Sequence, residues 1–183
     1  MSDDRVIQAK ITRAGMRAVF AADNAGLDLK LSHLAIGTGQ GTGYVPTGNE
    51  VALKSEIQRV AIGGGDCLGD FEVLVQAMLD GAPQGWVNEV GIFDESGALF
   101  AIWSEVNAPL AYKTAGVPLI VVLTLAVSEI PPNALTIVVG GPNVNITIAG
   151  PFAQLSAELI RLQRRAVESE NARLIPVIQN TWW

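Results

Sequence analysis

The stretch from Trp86 to Trp103, WVNEVGIFDESGALFAIW, constrains the fold more than any other part of this sequence. It consists of two apolar runs separated by Asp94-Glu95-Ser96-Gly97, in which the glycine is free to take a positive φ. Short apolar runs on either side of a polar turn that contains glycine are typical of a β-hairpin. We therefore predict two strands here, with Asp94 and Glu95 exposed in the turn between them.

Glu89 is the exception inside the first apolar run. Strand alternation places it on the same face as Val87, Gly91 and Phe93. A carboxylate among apolar side chains is costly unless it is paired or hydrogen-bonded. The sequence leaves three kinds of candidate partner for Glu89: Arg59, a lysine such as Lys54, or free backbone N–H groups. We predict a structural role for Glu89, with a docking contact and a catalytic role as the alternatives.

Bulk composition narrows the class of protein. The chain has 183 residues, of which 49% are hydrophobic, and this is enough for one core or for one core with an appendage. It has 12 basic and 18 acidic residues, so the net charge is −6. Because an acidic chain without a basic stripe is a poor ligand for phosphates, we expect no nucleic-acid partner.

The apolar segments of the chain do not resemble membrane or export signals. The first residues, MSDDRVIQAK, carry two aspartates and lack the apolar stretch of a secretory signal. The longest apolar run, Val117 to Val127, is far shorter than the roughly 20 residues of a membrane helix. It predicts a strand buried on both faces. We expect a soluble protein made in the cytoplasm, with no membrane insertion.

Helical and alternating patterns divide the remaining N-terminal sequence into short elements. ITRAGMRAVFAADNAG predicts a helix with Thr12 as its N-cap and Asn24-Ala25-Gly26 as its end. The predicted buried stripe of this helix is Ile11, Met16, Val19 and Phe20. In the next segment, LDLKLSHLAIG, one face of a predicted strand carries Leu27, Leu29 and Leu31.

A loop and further strands follow. GTGQGTGYVPTGNE is a loop by composition, and NEVALKSEIQRVAI starts like a helix and becomes a strand at about Arg59. FEVLVQAML alternates like a strand. PPNALTIVVGGPNVNITIAG predicts two short strands around Gly140-Gly141-Pro142.

The last segment, from Pro151, has the pattern of a helix. Proline suits a first helical turn, and Pro176 ends the helix at the residue before it. Its apolar stripe consists of Phe152, Leu155, Leu159, Leu162 and Ala166. These residues recur at alternating steps of three and four, which is the seam of a coiled coil over about two heptads. The helix could instead pack back on the sheet, but the narrow seam favours self-association, which needs added stability from the attached domain.

No residues in the sequence have the spacing of a catalytic or metal site. His33 is the only histidine and Cys67 the only cysteine, and neither lies in a metal-binding motif. The glycine-rich GTGQGTG lacks the Lys-Ser/Thr pair of a phosphate loop. Asp66 and Asp70 lack the spacing of a calcium loop, so we interpret them as turn residues. We predict no catalytic residue, no metal and no cofactor; the alternative is a small enzyme that unites His33, Cys67 or Asp66 in one pocket.

Several segments carry, in order, a resemblance to a known family. They are ITRAGMRAVFAADNAGLDLKLSHLAIGTG, ALKSEIQRVAI, WVNEVGIFDESGALFAIW and GVPLIVVLTLAV, within about Ile11 to Ile130. The most specific piece is Trp-x-x-Glu-x-Gly-x-Phe-Asp, formed by Trp86, Glu89, Gly91, Phe93 and Asp94. This part of the chain resembles the N-terminal domain of tail-collar fibre proteins, the tail fibres of contractile-tailed bacteriophages and related particles.

The resemblance implies a trimeric fibre whose N-terminal domain attaches to the tail baseplate. We therefore expect a structural virion protein, made in the host bacterial cytoplasm, that forms a homotrimer and contacts baseplate proteins. The expected fold is α+β. A mostly antiparallel β attachment domain with a short N-terminal helix spans residues 1–150, a trimerisation helix spans 151–175, and a short tail spans 176–183.

The C-terminal end departs from that family. No shaft repeats and no receptor-binding tip are recognisable, and only VIQNTWW follows Pro176. We therefore expect either a short fibre or adaptor that receives a second, distal fibre protein, or a protein that attaches to the tail without binding a receptor itself. Trp182 and Trp183 either contact another protein or fold back onto this chain or its trimer mates. A fibre assembly chaperone that is not retained in the particle is a further alternative.

Overall fold

The computed structural model describes residues 9–67, 72–127, 130 and 134–143. These residues form one α-helix, α1 (Arg13–Asn24), one 3-10 turn (Gly39–Gly41) and eleven strands. The strands are β1 (Lys10–Ile11), β2 (Leu29–Gly37), β3 (Glu56–Ala61), β4 (Gly64–Cys67), β5 (Glu72–Leu79), β6 (Gly85–Val87), β7 (Glu89–Asp94), β8 (Leu99–Ser104), β9 (Ala111–Lys113), β10 (Leu119–Ala126) and β11 (Leu135–Ile137). A mostly β domain with one short N-terminal helix is confirmed, whereas the predicted C-terminal helix lies outside the described residues.

The described strands form three sheets. The six-stranded sheet has the order β1-β8-β7-β2-β11, and β3 also pairs with β2. Within it β11 runs parallel to β2, and the other pairs are antiparallel. A three-stranded antiparallel sheet has the order β10-β5-β4, and β6 pairs with β9. The hairpin β7–β8, which the sequence predicts, is confirmed and lies inside the large sheet.

Helix α1 begins and ends as the sequence predicts. Thr12 is the N-cap, and its hydroxyl accepts a hydrogen bond from the Gly15 N–H at 2.9 Å. Gly15 lets the helix approach β8 closely, because a Cβ there would collide with the backbone of Phe100. Val19 is fully buried, but Phe20, which belongs to the predicted buried stripe, is 45% exposed.

Two apolar clusters lie on opposite faces of the six-stranded sheet. Leu34 and Ile36 of β2 belong to the larger cluster, which also takes in α1 and the inner face of the sheet β10-β5-β4. Ala35, between them in sequence, belongs to the smaller one, since neighbouring residues of a strand point to opposite faces. The smaller cluster consists of Ala35, Leu53, Phe93, Leu99 and Ile102, with Tyr44 packed against it. The middle of the large sheet is therefore buried on both sides.

Strand β10 contradicts the prediction of a strand buried on both faces. Val121 and Leu123 are buried. Ile120 and Val122, which alternate with them, are 38% and 46% exposed. The prediction fails because an uninterrupted apolar run does not reveal how many of its faces are covered.

Three shorter predictions are also wrong. Residues 49–55 contain bends and no helix before β3 begins. Leu27 is 65% exposed because β2 begins only at Leu29. Asp66 lies within β4 rather than in a turn, and Asp70 lies outside the described residues. For Asp66, the pairing of β4 with β5 overrides the local preference for a turn.

Candidate functional site

Glu89, the first residue of β7, lies between the ends of both neighbouring strands. It is in register with Gly37 at the end of β2 and with Ser104 at the end of β8. Its side chain is 0% exposed. Because a fully buried carboxylate is costly without donors around it, its partners define the site.

Four donors surround the Glu89 carboxylate. Oε1 accepts hydrogen bonds from the backbone N–H groups of Ser55 at 2.7 Å and Gly39 at 3.2 Å. Oε2 accepts from the Tyr44 hydroxyl at 2.7 Å and from the Lys54 N–H at 3.0 Å. Backbone amides, one of the three kinds of partner that the sequence leaves open, therefore hold this carboxylate.

The hydrogen-bond pattern makes Glu89 an acceptor on both oxygens. Each oxygen accepts two hydrogen bonds, so its lone pairs are occupied. A proton on either oxygen would face a donor and displace a bond. Since the side chain is also fully buried, this arrangement suits a group that holds chain segments together and does not suit proton transfer to a substrate.

The carboxylate fastens a long loop, residues 38–55, over the end of the large sheet. The four donors come from three separate points of that loop: Gly39, Tyr44 and the pair Lys54-Ser55. The Thr38 N–H also donates to the Ser55 carbonyl at 2.9 Å and closes the base of the loop. The glycine-rich loop of the sequence is thus folded around a single side chain.

Gly37 makes room for the carboxylate at the end of β2. A Cβ on Gly37 would collide with Oε1 of Glu89 and would also lie too close to the Ser55 carbonyl oxygen. The β2–β3 register shifts between Ile36 and Gly37, where the loop leaves the sheet. Glycine is therefore required here by close approach of a side chain and a backbone.

Tyr44 contributes the one side-chain donor. Burial raises the pKa of its phenol above the ordinary value, and the hydrogen bond to Glu89 and the charge of Glu89 raise it further. The hydroxyl therefore stays protonated and can donate. The Lys54 ammonium lies 3.6 Å from the centre of the Tyr44 ring, so Lys54 acts through its N–H and this ring contact, not as an ion-pair partner of Glu89.

Asn88 and Ser104 fix the backbone beside Glu89. The Asn88 side-chain amide donates to the Thr38 carbonyl at 2.8 Å. The Ser104 hydroxyl donates to the Asn88 carbonyl at 2.7 Å and accepts from the Tyr44 N–H at 3.0 Å. Both side chains are almost fully buried. We call the following set the Glu89 network: Glu89, Tyr44, Asn88, Ser104 and the backbone amides of Gly39, Lys54 and Ser55.

Gly91 and Phe93 follow Glu89 along one face of β7. A Cβ on Gly91 would lie 3.0 Å from Leu53 Cδ2, so the glycine leaves room for the loop to pack. Phe93 is 1% exposed in the same small cluster. Val87, predicted to share this face, packs in the larger cluster instead. The reason is that β6 ends at Val87 and β7 begins at Glu89, so the strand alternation does not continue across Asn88.

Arg59, a predicted partner of Glu89, is occupied elsewhere. Its guanidinium donates to the Glu56 carboxylate at 2.9 and 2.7 Å. It also lies 3.6 Å from the centre of the Phe93 ring. Arg59 therefore covers the small cluster from outside and does not reach the carboxylate of Glu89.

Trp86 is the motif residue that lies at the surface. Its side chain is 55% exposed and contacts Tyr112, which is 47% exposed, across the β6–β9 pair. The two ring centres are 5.1 Å apart in an edge-to-face arrangement. An exposed aromatic pair of this kind is suited to contacts with another protein.

Asp94 is buried, which contradicts the prediction of an exposed turn acid. It is the last residue of β7, and its Oδ1 accepts hydrogen bonds from the Ser96 hydroxyl at 2.6 Å and the Ala98 N–H at 2.9 Å. Gly97 takes the predicted positive φ, +84°. Glu95 is exposed, as predicted. Asp94 therefore shapes the turn of the hairpin.

The residues of the enzyme alternative lie in different sheets. His33 is in β2 of the large sheet, where its Nδ1 and the Ser32 hydroxyl are 2.8 Å apart. Asp66 and Cys67 are in β4 of the three-stranded sheet. Within the described ranges, no group of three or more His, Cys, Asp or Glu residues is placed to hold a metal ion. In the same part of the chain, no helix is long and apolar enough to cross a bilayer.

Sequence reasoning missed the side chains that complete the Glu89 network. Tyr44 gives no periodic signal, because its partner is 45 residues away in the chain. Asn88 and Ser104 flank apolar runs as single polar residues, and this position is the sequence signal that could identify them. Another missed residue is Lys113, which is 0% exposed and whose ammonium donates to the carbonyls of Gly81, Thr114 and Val117 at 2.7 to 3.3 Å.

The C-terminal candidate residues lie outside the described residues. They are the predicted trimer seam, Phe152, Leu155, Leu159, Leu162 and Ala166, and the terminal pair Trp182 and Trp183. They stay predictions.

A family model matches most of the domain that contains the Glu89 network. Its description is phage tail-collar fibre protein, N-terminal, and it matches residues 4–137, well over half of the chain. No curated protein and no solved structure matches. The matched range runs from before β1 to the end of β11 and includes every residue of the network.

Proposed function

This chain belongs to the phage tail-collar fibre proteins by its N-terminal domain, and from that premise we propose that it docks on the tail baseplate as a fibre or fibre adaptor. The family is one of structural tail fibre domains and not of enzymes, and it implies a place in the tail of the virion. In this role the chain would link the baseplate to host-recognition elements. The observation that carries the proposal is the family match over residues 4–137.

The geometry of the site supports a mechanical role. The Glu89 network joins β7, β8 and the loop 38–55 through buried hydrogen bonds and leaves the carboxylate inaccessible. A docking domain needs a surface of fixed shape, and buried, fully satisfied polar networks make a fold rigid. The network would therefore present the loop to the baseplate in one conformation.

The assembly we propose is a homotrimer. Its support is the a/d seam of the sequence from Phe152 to Ala166, which has the spacing of a coiled coil. The seam directly follows the attachment domain in sequence, so three copies would leave the baseplate as one stem. We further propose that Trp182 and Trp183 contact a second, distal fibre protein, since indole side chains are favoured at interface hot spots.

Purified tail particles test the proposal. We would prepare particles that carry the unmodified chain, the Glu89→Ala chain or the Glu95→Ala chain, and quantify this chain per particle by mass spectrometry. Cryo-electron microscopy of the same particles would locate it on the tail. We expect the unmodified chain at the baseplate in multiples of three, a large loss for Glu89→Ala, and no loss for Glu95→Ala, because Glu95 is exposed.

Two outcomes would overturn the proposal. If the chain is absent from particles whose fibres nevertheless need it for assembly, the protein is an assembly chaperone. If the chain is present but located away from the baseplate, the docking role fails, although membership of the tail fibre family stands.

A further inference from the structure

We infer that a cavity beside the turn of the hairpin β7–β8 binds an arginine side chain of a protein other than the baseplate. The cavity has a volume of about 540 Å³ and is lined by residues 26–30 and 94–96. These residues belong to the connection from α1 to β2, the start of β2 and the hairpin turn. We call it the acidic cavity. The inference goes beyond docking on the baseplate and does not depend on it.

The charge of the acidic cavity favours a cation. Its lining includes three acids, Asp28, Asp94 and Glu95, and one basic residue, Lys30, so its net charge is −2. The Lys30 ammonium is 3.6 Å from the Glu95 carboxylate, and both side chains are about half exposed. Such a surface pair is weak, so an incoming cation can displace Lys30. A cleft lined mainly by one sign of charge attracts ligands of the opposite sign.

Asp94 provides a carboxylate oxygen that the domain itself does not use. Asp94 is only 5% exposed, and its Oδ1 accepts the hydrogen bonds of Ser96 and Ala98 that shape the turn. Its Oδ2 accepts no hydrogen bond from the residues that the structure describes, and it is not sealed in the core. Because a largely buried carboxylate is costly without donors, an oxygen left open at the wall of a cavity calls for a donor from outside.

The remaining lining selects an arginine over a metal ion. The acidic groups are engaged one by one, since Asp28 Oδ2 accepts from the Thr136 hydroxyl at 2.9 Å and Glu95 contacts Lys30. A calcium ion needs many oxygens that converge on one point, whereas a guanidinium carries several N–H donors in a planar fork that reaches separate acceptors. Leu27, which is 65% exposed at the cavity, offers an apolar surface for the stem of the arginine.

The position of the acidic cavity separates its ligand from the baseplate. Asp94 is the last residue of β7 and Glu89 the first, so the two ends of this strand are about 17 Å apart. The loop 38–55, which we propose faces the baseplate, is fastened at the Glu89 end. A segment bound in the acidic cavity would therefore leave this loop free to dock. For this reason we assign the arginine to a different protein.

Peptide binding to the full chain tests the inference. The probe is the tripeptide acetyl-Ala-Arg-Ala-amide, and the matched controls carry citrulline, the neutral analogue of arginine, or lysine in its place. Binding would be followed by the backbone amide signals of the isotope-labelled chain in nuclear magnetic resonance. We expect saturable shifts at Gly26, Lys30 and Ser96 with the arginine peptide. Binding should be at least about tenfold weaker with citrulline, and weaker with lysine.

Matched substitutions of aspartate by asparagine locate the site. Asp94→Asn keeps an oxygen for Ser96 and Ala98 but turns an N–H₂ group toward the cavity, so we expect binding at least about tenfold weaker. Asp28→Asn is a second variant at an exposed residue, and it should weaken binding severalfold. Asp66→Asn removes the same charge from the sheet β10-β5-β4 and should leave binding unchanged. Circular dichroism would verify the folding of each variant.

The outcomes separate this inference from the proposed function. No saturable shift, equal binding of the citrulline or lysine peptide, or an equal loss in Asp66→Asn would overturn the arginine site. Tail particles that carry folded Asp94→Asn should keep this chain at its unmodified copy number. Loss of the chain from them would assign the cavity to the baseplate contact, which overturns the inference and leaves the docking in place. An unmodified chain located away from the baseplate overturns the docking and leaves the peptide result standing.

Discussion

The hairpin β7–β8 and the ladder β5–β10 are both antiparallel pairs of apolar strands, yet they differ in burial. Every residue of β7 and β8 is buried, Glu89 included. In β10 burial alternates, and Ile120 and Val122 reach the surface. Of these strands, β7, which contains an acidic residue at position 89, is therefore more completely buried than the uncharged β10. Burial of a strand in this domain depends on what covers its second face, not on how apolar its sequence is.

The loop that covers β7 explains why a buried carboxylate is present in this strand. The loop 38–55 lies over one face of β7 and places Leu53 and Tyr44 against the small cluster. Where this loop faces the sheet, its backbone N–H groups point inward and need acceptors. Glu89 supplies acceptors for Gly39, Lys54 and Ser55 at once. No described element does the same for the outer face of β10.

The largest expected effect is the loss of the carboxylate. Glu89→Ala removes the acceptor of three backbone N–H groups and one hydroxyl and leaves these donors unsatisfied inside the domain. Each such buried group costs about 1–3 kcal/mol, so with four donors we expect a total loss of at least about 4 kcal/mol in the free energy of unfolding. Urea denaturation followed by circular dichroism measures this loss.

Glu95→Ala is the matched control for that substitution. Glu95 is exposed, and its contact with Lys30 is a 3.6 Å surface pair. We expect a change within about 0.5 kcal/mol. If Glu89→Ala proves as mild as Glu95→Ala, the carboxylate does not hold the loop and the contrast between the two sheets needs another cause.

The sequence predicts one region of this comparison better than the other. The hairpin and the need of Glu89 for partners follow from local pattern and from the cost of a buried charge. The sequence does not predict which residues bind Glu89. Gly39, Tyr44 and Lys54 are 35 to 50 residues away from it, and no periodicity links them to it. The exposure of Val122 does not follow either, since an apolar run looks the same whether one or two faces are covered.

The next effect in size concerns the close approach at the end of β2. Gly37→Ala would drive a methyl group into Glu89 Oε1 and the Ser55 carbonyl, so the loop must shift. We expect a loss of about 2–3 kcal/mol, as for other overpacked sites. The control is Gly140→Ala, where the nearest atom is Ala61 Cβ at 3.6 Å and little change is expected. Equal melting temperatures of the two variants would contradict the geometry of the Glu89 network.

Removing the hydroxyl donor should have a smaller effect. Tyr44→Phe deletes the 2.7 Å bond to Glu89 but keeps the ring against the small cluster. We expect a loss of about 1–2 kcal/mol. Tyr112→Phe, the same change on a ring that is 47% exposed, should stay within about 0.5 kcal/mol. A larger loss for Tyr112→Phe would show that the aromatic pair, and not the network, stabilises the domain.

Alkaline pH sharpens the Tyr44 test. In the unfolded chain its phenol ionises at about pH 10. In the folded chain burial, and then Glu89, hold the pKa of Tyr44 above that value, so the folded state keeps the proton longer. This contribution is fully present below about pH 10 and is lost as the pH rises further. The unmodified chain and Tyr112→Phe should therefore lose stability above that pH more steeply than Tyr44→Phe.

The smallest effect tests the alternation of β10 itself. Threonine has nearly the shape of valine but adds a hydroxyl. At Val121, which is 3% exposed, the hydroxyl enters the core, and we expect a loss of about 1–2 kcal/mol. At Val122, which is 46% exposed, water can solvate it, and we expect a change within about 0.5 kcal/mol. Unfolding must be measured at concentrations where the chain is monomeric, because association would otherwise contribute to the measured stability. Equal losses at the two neighbours would mean that one copy already covers both faces of β10, and the contrast with β7 would disappear.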